Sequence, residues 1–80
     1  MNRTEIADKV AGILRDIFDD DEMIVTDDTS ADGIEDWDSL EQINILVAIE
    51  KQFGVKFSVG DVEDLKNVGE MIDLVVKKLA

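Results

Sequence analysis

Four times along this 80-residue chain, a residue able to cap a helix stands before an apolar stretch with helical spacing, and each time an acid follows three positions later. The pairs are Asn2 with Glu5, Asp38 with Glu41, Ser58 with Asp61 and Asn67 with Glu70. A side-chain oxygen at the first position accepts a bond from an otherwise unpaired backbone N–H, and an acid in the first turn faces the positive end of the helix dipole. Each start contributes about 1 kcal/mol. The chain holds no proline to interrupt the helices begun in this way. The pattern predicts an all-α fold, a four-helix bundle in one domain spanning residues 1–80.

The first helix is predicted over Arg3 to Phe18, with Ile6, Val10, Ile13, Leu14 and Ile17 on one stripe. Gly12 weakens it by roughly 1 kcal/mol relative to alanine. The second runs from Ser39 to Phe53, where Leu40, Ile43, Leu46, Val47, Ile49 and Phe53 form a stripe broad enough to meet several neighbours; Gly54 stops it. A short third helix is expected over Val59 to Leu65, anchored by Val59, Val62 and Leu65, and its weak anchorage makes it the most mobile element. The last runs from Val68 to Leu79 on Val68, Met71, Ile72, Val75 and Leu79, with Lys77 and Lys78 near its negative end.

Between the first two helices lies a long connection, Asp19 to Trp37, in which nine residues are acidic. A loop of this length is pinned or functional. Met23, Ile24, Val25, Ile34 and Trp37 are expected to pin it across the bundle, and Asp32-Gly33 marks a turn.

Twenty acidic residues against eight basic ones give a formal net charge of -12. Such a field repels nucleic acid and anionic lipid and attracts basic protein surfaces. No stretch approaches the roughly 18 apolar residues of a membrane span. The expectation is a soluble, cytoplasmic monomer that meets protein partners. The chain has no cysteine and no histidine, so disulfides and thiolate metal sites are excluded and no evident base can activate a hydroxyl. A catalyst is not expected.

The segment Asp36-Trp37-Asp38-Ser39-Leu40-Glu41 puts a serine in the first turn of the broadest helix. Asp38 already fits the cap, which leaves the Ser39 hydroxyl unemployed. A phosphate ester there would lie beside N–H groups at the positive helix end. At these residues the chain resembles the acyl carrier protein family, whose Asp-Ser-Leu signature opens the second of four helices. The long first loop, the run Ile49-Glu50-Lys51-Gln52-Phe53-Gly54-Val55 and the short third helix extend the likeness over nearly the whole chain.

The resemblance implies a 4'-phosphopantetheine arm on Ser39, flanked by Asp38 and Leu40 and installed from coenzyme A by a phosphopantetheinyl transferase. It also implies acyl-loading and acyl-transferring or condensing enzymes as partners, met through Leu40, Glu41, Asn44, Val47, Ala48 and Lys51. The family's acyl pocket maps onto Ile45, Ile49, Phe57, Val62, Leu65 and Met71. Pathways of fatty-acid, polyketide or related lipid and saccharide acylation fit this role. Asn44 and Lys51 stand where carriers of primary fatty-acid synthesis commonly have an acid, and Trp37 where a small residue is usual. These departures favour a freestanding carrier of a specialised pathway.

Other readings remain at this point: an aminoacyl or peptidyl carrier of the same fold, or an acidic decoy without a prosthetic group. Asp28, Ser30, Asp32, Gly33 and Asp36 also fit positions of an EF-hand calcium loop. That loop requires a bidentate glutamate where Ser39 stands and an apolar residue where Glu35 stands. No metal site is expected.

Overall fold

A computed structural model describes residues 2–34, 36–63 and 65–79. Four α-helices follow in chain order: α1 (Arg3–Ile17), α2 (Ser39–Phe53), α3 (Val59–Val62) and α4 (Val68–Leu79). All four sequence-derived caps form. Asn2 Oδ1 accepts from Glu5 N–H at 2.8 Å, Asp38 Oδ1 from Glu41 N–H at 2.8 Å, Ser58 Oγ from Asp61 N–H at 3.2 Å, and Asn67 Oδ1 from Glu70 N–H at 2.9 Å.

The core is where the three long helices meet. Ile6, Val10 and Leu14 of α1 pack with Ile45 and Ile49 of α2 and with Val68, Met71, Ile72 and Val75 of α4. Each such aliphatic side chain contributes roughly 1.5–3 kcal/mol when taken fully from water. The stripes are narrower than expected at their edges: Leu40, Ile43 and Val47 of α2 and Leu79 of α4 are exposed. α2 has too few neighbours to cover an apolar arc that wide.

Helix ends follow local chemistry. α1 stops one residue earlier than expected, because Phe18 is its cap and Asp19 turns left-handed at φ 51°. Asp19 N–H then bonds Asp16 O and Asp20 N–H bonds Arg15 O, closing the last carbonyls. Gly54 does the same for α2 at φ 65°, with Val55 N–H returning to Glu50 O. α3 is a single turn rather than the helix to Leu65 that the pattern suggests. Leu65 turns in against the core and Lys66 N–H bonds Glu70 Oε2 at 2.7 Å, which commits to α4 the backbone that would have prolonged α3. Asp64 lies outside the described residues. Val59, expected as an anchor, is 80% exposed.

The long connection is held at three levels. Met23, Val25 and Ile34 pack on the core and Trp37 is buried in it, whereas Ile24 points outward, 83% exposed. Neighbouring residues of an extended segment face opposite sides, so Met23 and Val25 can go in only if Ile24 goes out. Asp32-Gly33 falls in a 3-10 turn, Ala31–Gly33. The loop backbone also docks on the start of α4, where Val68 N–H donates to Thr29 O at 2.8 Å and Gly69 N–H to Asp27 O at 2.9 Å. Arg3 clamps this junction, holding Asp27 Oδ2 and Asp73 Oδ1 each at 3.0 Å.

Gly69 makes the docking possible. A Cβ there would lie 2.9 Å from Asp27 Cβ and 3.1 Å from Asp27 O, whereas one on Gly12 would meet nothing within 4 Å. The two glycines therefore respond oppositely to alanine. Gly12→Ala should stabilise by about 0.5–1 kcal/mol through helix propensity. Gly69→Ala should destabilise by about 1–3 kcal/mol, because overpacking at a fixed backbone contact exceeds the propensity gain. Thermal melting reads both, at roughly 4–8 °C per kcal/mol for a domain this small.

Candidate functional site

Ser39 is the first residue of α2, placed there by Asp38 in the cap position at φ -102° and ψ -172°. Asp38 uses its carboxylate for Glu41 N–H and its carbonyl for Gln42 N–H at 2.9 Å. The N–H groups of Ser39 and Leu40 precede that first intrahelical bond and lie at the positive helix end. Ser39 is exposed, so its hydroxyl is reachable by another protein. A phosphate ester fits: the cap does not need Ser39 Oγ, and the helix end offers donors. The neighbouring carboxylates oppose it only through screened, solvent-exposed interactions.

Trp37 fixes the approach to the serine. Its indole is 6% exposed, packs against the Phe18 ring at 5.8 Å between centroids, and donates Nε1–H to Gln42 Oε1 at 2.6 Å. Beside Ser39 an open groove of about 640 Å³ runs between the start of α2 and the segment after α3, lined by Trp37, Gln42, Ile43, Val62 and Leu65 among others.

The anticipated partner residues share the outer face of α2. Leu40 is 64% exposed, Val47, Asn44 and Lys51 are exposed, and Glu41 and Ala48 are half-buried. Ile43, which the pattern places in the buried stripe, belongs to this face at 57% exposure. The acids here are partly committed: Glu41 Oε1 accepts from Asn44 Nδ2 at 3.3 Å, and Glu50 Oε2 accepts Phe57 N–H at 2.7 Å.

The six anticipated pocket residues are divided. Ile45, Ile49 and Met71 sit in the closed core. Phe57 and Val62 line a groove of about 200 Å³ between α2 and α3, and Val62 also borders the Ser39 groove with Leu65. The sequence reading missed Gln42 and the groove itself. The signal was present, since Gln42 follows Ser39 by three residues and so shares its helix face.

α3 is held from below. Ser58 and Asp61 form a reciprocal capping box, with Ser58 N–H to Asp61 Oδ2 at 2.9 Å, and Lys78 Nζ of α4 reaches the same Oδ2 at 2.8 Å. In the other three caps the paired acid does not reciprocate in this way: Glu41 and Glu70 accept elsewhere.

Among the described residues no three metal-ligating side chains gather to hold an ion. Of the EF-hand pattern, Asp28, Asp32, Gly33 and Asp36 are exposed, Ser30 is half-buried, and Glu35 lies outside the described residues. Among the described residues, no helix is long and apolar enough to cross a membrane.

The bundle presents an exposed serine in the first turn of α2, with the cap already supplied by Asp38. Its class is the phosphopantetheine-bearing carrier. The family profile described as "Phosphopantetheine attachment site" matches residues 6–75. The chain is 33% identical to an acyl carrier protein of Thermosynechococcus vestitus, covering all of this chain and 99% of that one. It is 35% identical to an acyl carrier protein of Petrotoga mobilis, over 99% and 93% of the two chains. The solution NMR structure of holo acyl carrier protein from Geobacter metallireducens superposes with a TM-score of 0.85 at 45% identity, covering 91% of this chain and 84% of that one. The chain belongs to the acyl carrier protein family. It is a carrier with a 4'-phosphopantetheine prosthetic group, not a catalyst, and it acts by interacting with enzymes.

The Asp61–Lys78 contact sets a pH dependence for α3. Lys78 first, and then the Ser58 backbone N–H, lower the Asp61 pKa from 3.8 to about 2. A carboxyl whose pKa is depressed by folding adds stability that is fully present above its unfolded value. That stability is lost as pH falls through the folded value. α3 should therefore stay docked down to about pH 4 and loosen toward about pH 2. In Lys78→Met the Asp61 carboxyl titration, followed by NMR, should move back up toward its ordinary midpoint. An unchanged midpoint would contradict the pairing.

Proposed function

We propose that Ser39 Oγ is the attachment point of the prosthetic group, and that a phosphopantetheinyl transferase installs it from coenzyme A. The transfer makes a serine phosphate ester and releases the nucleotide half of the donor. The observation that carries this reading is the exposed Ser39 at the first turn of α2, with the cap already supplied by Asp38. Once attached, the group supplies a terminal thiol that holds acyl groups as thioesters. The residues of the chain position that thiol before acyl-loading and acyl-transferring or condensing enzymes, and one tethered cargo raises its effective concentration at each of them. Incubation with coenzyme A and a transferase should add one prosthetic group by intact mass. Ser39→Ala should fold normally and gain none; a modified alanine variant would remove the assignment.

The same reading takes residues 1–80 as one monomeric carrier unit working in a specialised pathway. Support comes from the outer face of α2, where Leu40, Ile43 and Val47 are exposed, Lys51 adds a positive charge, and Glu41 and Glu50 already accept internal hydrogen bonds. Cargo is short or polar on this reading, or a long chain stays outside the bundle, because Ile45, Ile49 and Met71 are close-packed and extra methylenes would have to displace them. Asn44→Glu combined with Lys51→Glu should raise turnover of the loaded carrier by a fatty-acid elongation enzyme at low salt, where charge acts most strongly. A double variant turned over no faster than the parent would show that helix charge does not select the pathway.

A further inference from the structure

Two residues on either side of Ser39 in the chain are bonded to each other. Counted from the Asp38 cap, Trp37 is the residue just before the helix and Gln42 the fourth residue inside it. Helices often carry an apolar pair at these two positions, which packs together and fixes the angle at which the chain enters. α3 has such a pair, with Phe57 before its Ser58 cap and Val62 four residues in, both lining one groove. α2 departs from it. Here Trp37 Nε1–H donates to Gln42 Oε1 at 2.6 Å, with Trp37 6% exposed and Gln42 half-buried. An apolar contact has no preferred direction and tolerates sliding, whereas a hydrogen bond sets the orientation of both side chains. Breaking this one leaves a buried indole N–H unpaired, so the open arrangement is penalised.

The turn closed in this way is the one that carries the serine. Ser39, Leu40 and Glu41 lie between the two ends of the staple, where the first N–H groups have no partner inside the helix. Asp38 holds one flank through Glu41 N–H and Gln42 N–H. Trp37 holds the other and is itself anchored, since its ring packs on Phe18 at the end of α1 and its backbone N–H donates to Ile34 O at 3.2 Å. We infer that Trp37 and Gln42 are positioning residues for the modification of this carrier. Their bond keeps the first turn of α2 formed, so Ser39 Oγ is presented in one orientation before the transferase arrives. They act through the backbone of that turn, not on the hydroxyl. The inference rests on Ser39 being the attachment point. Without the staple the turn frays, the competent form becomes a fraction of the population, and the apparent affinity falls by that fraction. Once the transferase has bound, the turn is formed again and the chemical step proceeds as before. The staple therefore acts on KM and leaves kcat alone.

The test is the steady-state kinetics of a phosphopantetheinyl transferase, with the full apo chain as varied substrate and coenzyme A saturating. Intact mass first establishes that the parent gains one prosthetic group and that Ser39→Ala gains none. Gln42→Met keeps a side chain of similar length but removes the acceptor, and Trp37→Phe keeps an aromatic ring but removes the donor. Each should raise KM by roughly 3–10-fold with kcat within about twofold of the parent. Combined, they should raise it no further than either alone, because both remove the same bond. Gln42→Glu retains an acceptor for the indole and should keep the parental KM. Val75→Ala, a truncation in the core face of α4, should lower the melting temperature without moving KM, which separates positioning from stability. An unchanged KM in both Gln42→Met and Trp37→Phe, or an equal rise in Gln42→Glu or Val75→Ala, would overturn the staple while leaving the attachment intact. A parent that gains no mass at Ser39 would overturn both.

Discussion

The first N–H groups of α4 must find acceptors, and two of those acceptors are carbonyls of the long loop. Thr29 O and Asp27 O receive Val68 and Gly69 N–H, so the loop is bound to the bundle through its backbone rather than through side chains alone. Everything between α1 and the serine hangs from that junction. Once residues 27–29 are fixed on α4, the remaining chain has to return across the bundle to begin α2. Ile34 packs half-buried against the core, Trp37 is buried in it, and Asp38 emerges in position to cap. Gly69 lets the two backbones approach and Arg3 joins α1 to both sides of the contact. The site is therefore positioned through a junction that Ser39 itself takes no part in.

Most of the helical frame was legible in the sequence because it depends on short-range chemistry. Caps at Asn2, Asp38, Ser58 and Asn67, and apolar residues at helical spacing, act within a few residues of themselves. The limits of α2 and α4 need nothing else. What could not be read is what depends on distant partners. α3 ends at Val62 because Leu65 and Lys66 are claimed by the core and by Glu70. Ile24, Val59 and Leu79 are as apolar as their buried neighbours, and only the placement of other elements leaves them outside. At the site, Ser39 and its cap belong to the local kind. Whether Ile43 faces the core or solvent, and whether Glu50 is free or holds Phe57, belong to the tertiary kind.

Charge is used unevenly. A net charge of -12 on so small a body works against compaction. Two of its few cations bridge elements separated in sequence: Arg3 ties α1 to the loop and α4, and Lys78 ties α4 to α3. Exposed pairs are worth little singly, about 0–1 kcal/mol. Their placement matters more than their sum, since Lys78 holds the shortest helix, whose apolar anchorage is the poorest.

On the proposed reading of α2 as the partner face, the same unevenness would separate two stages of partner recognition. The field that draws a basic enzyme toward the carrier comes from the whole surface, and above all from the acidic loop, because attraction at distance depends on total charge. Contact is another matter. The outer face of α2 presents Leu40, Ile43 and Val47, with Val59 of α3 exposed as well, while Glu41 and Glu50 are drawn into hydrogen bonds of their own. Steering is thus general and fit is particular. A partner that relies on acids along α2 finds few of them free, whereas one with an apolar socket opposite Leu40 and Ile43 gains buried area at each contact. On the proposed reading, the shared field would bring candidate enzymes near, and the charge and apolar surface of the α2 face together would discriminate among them.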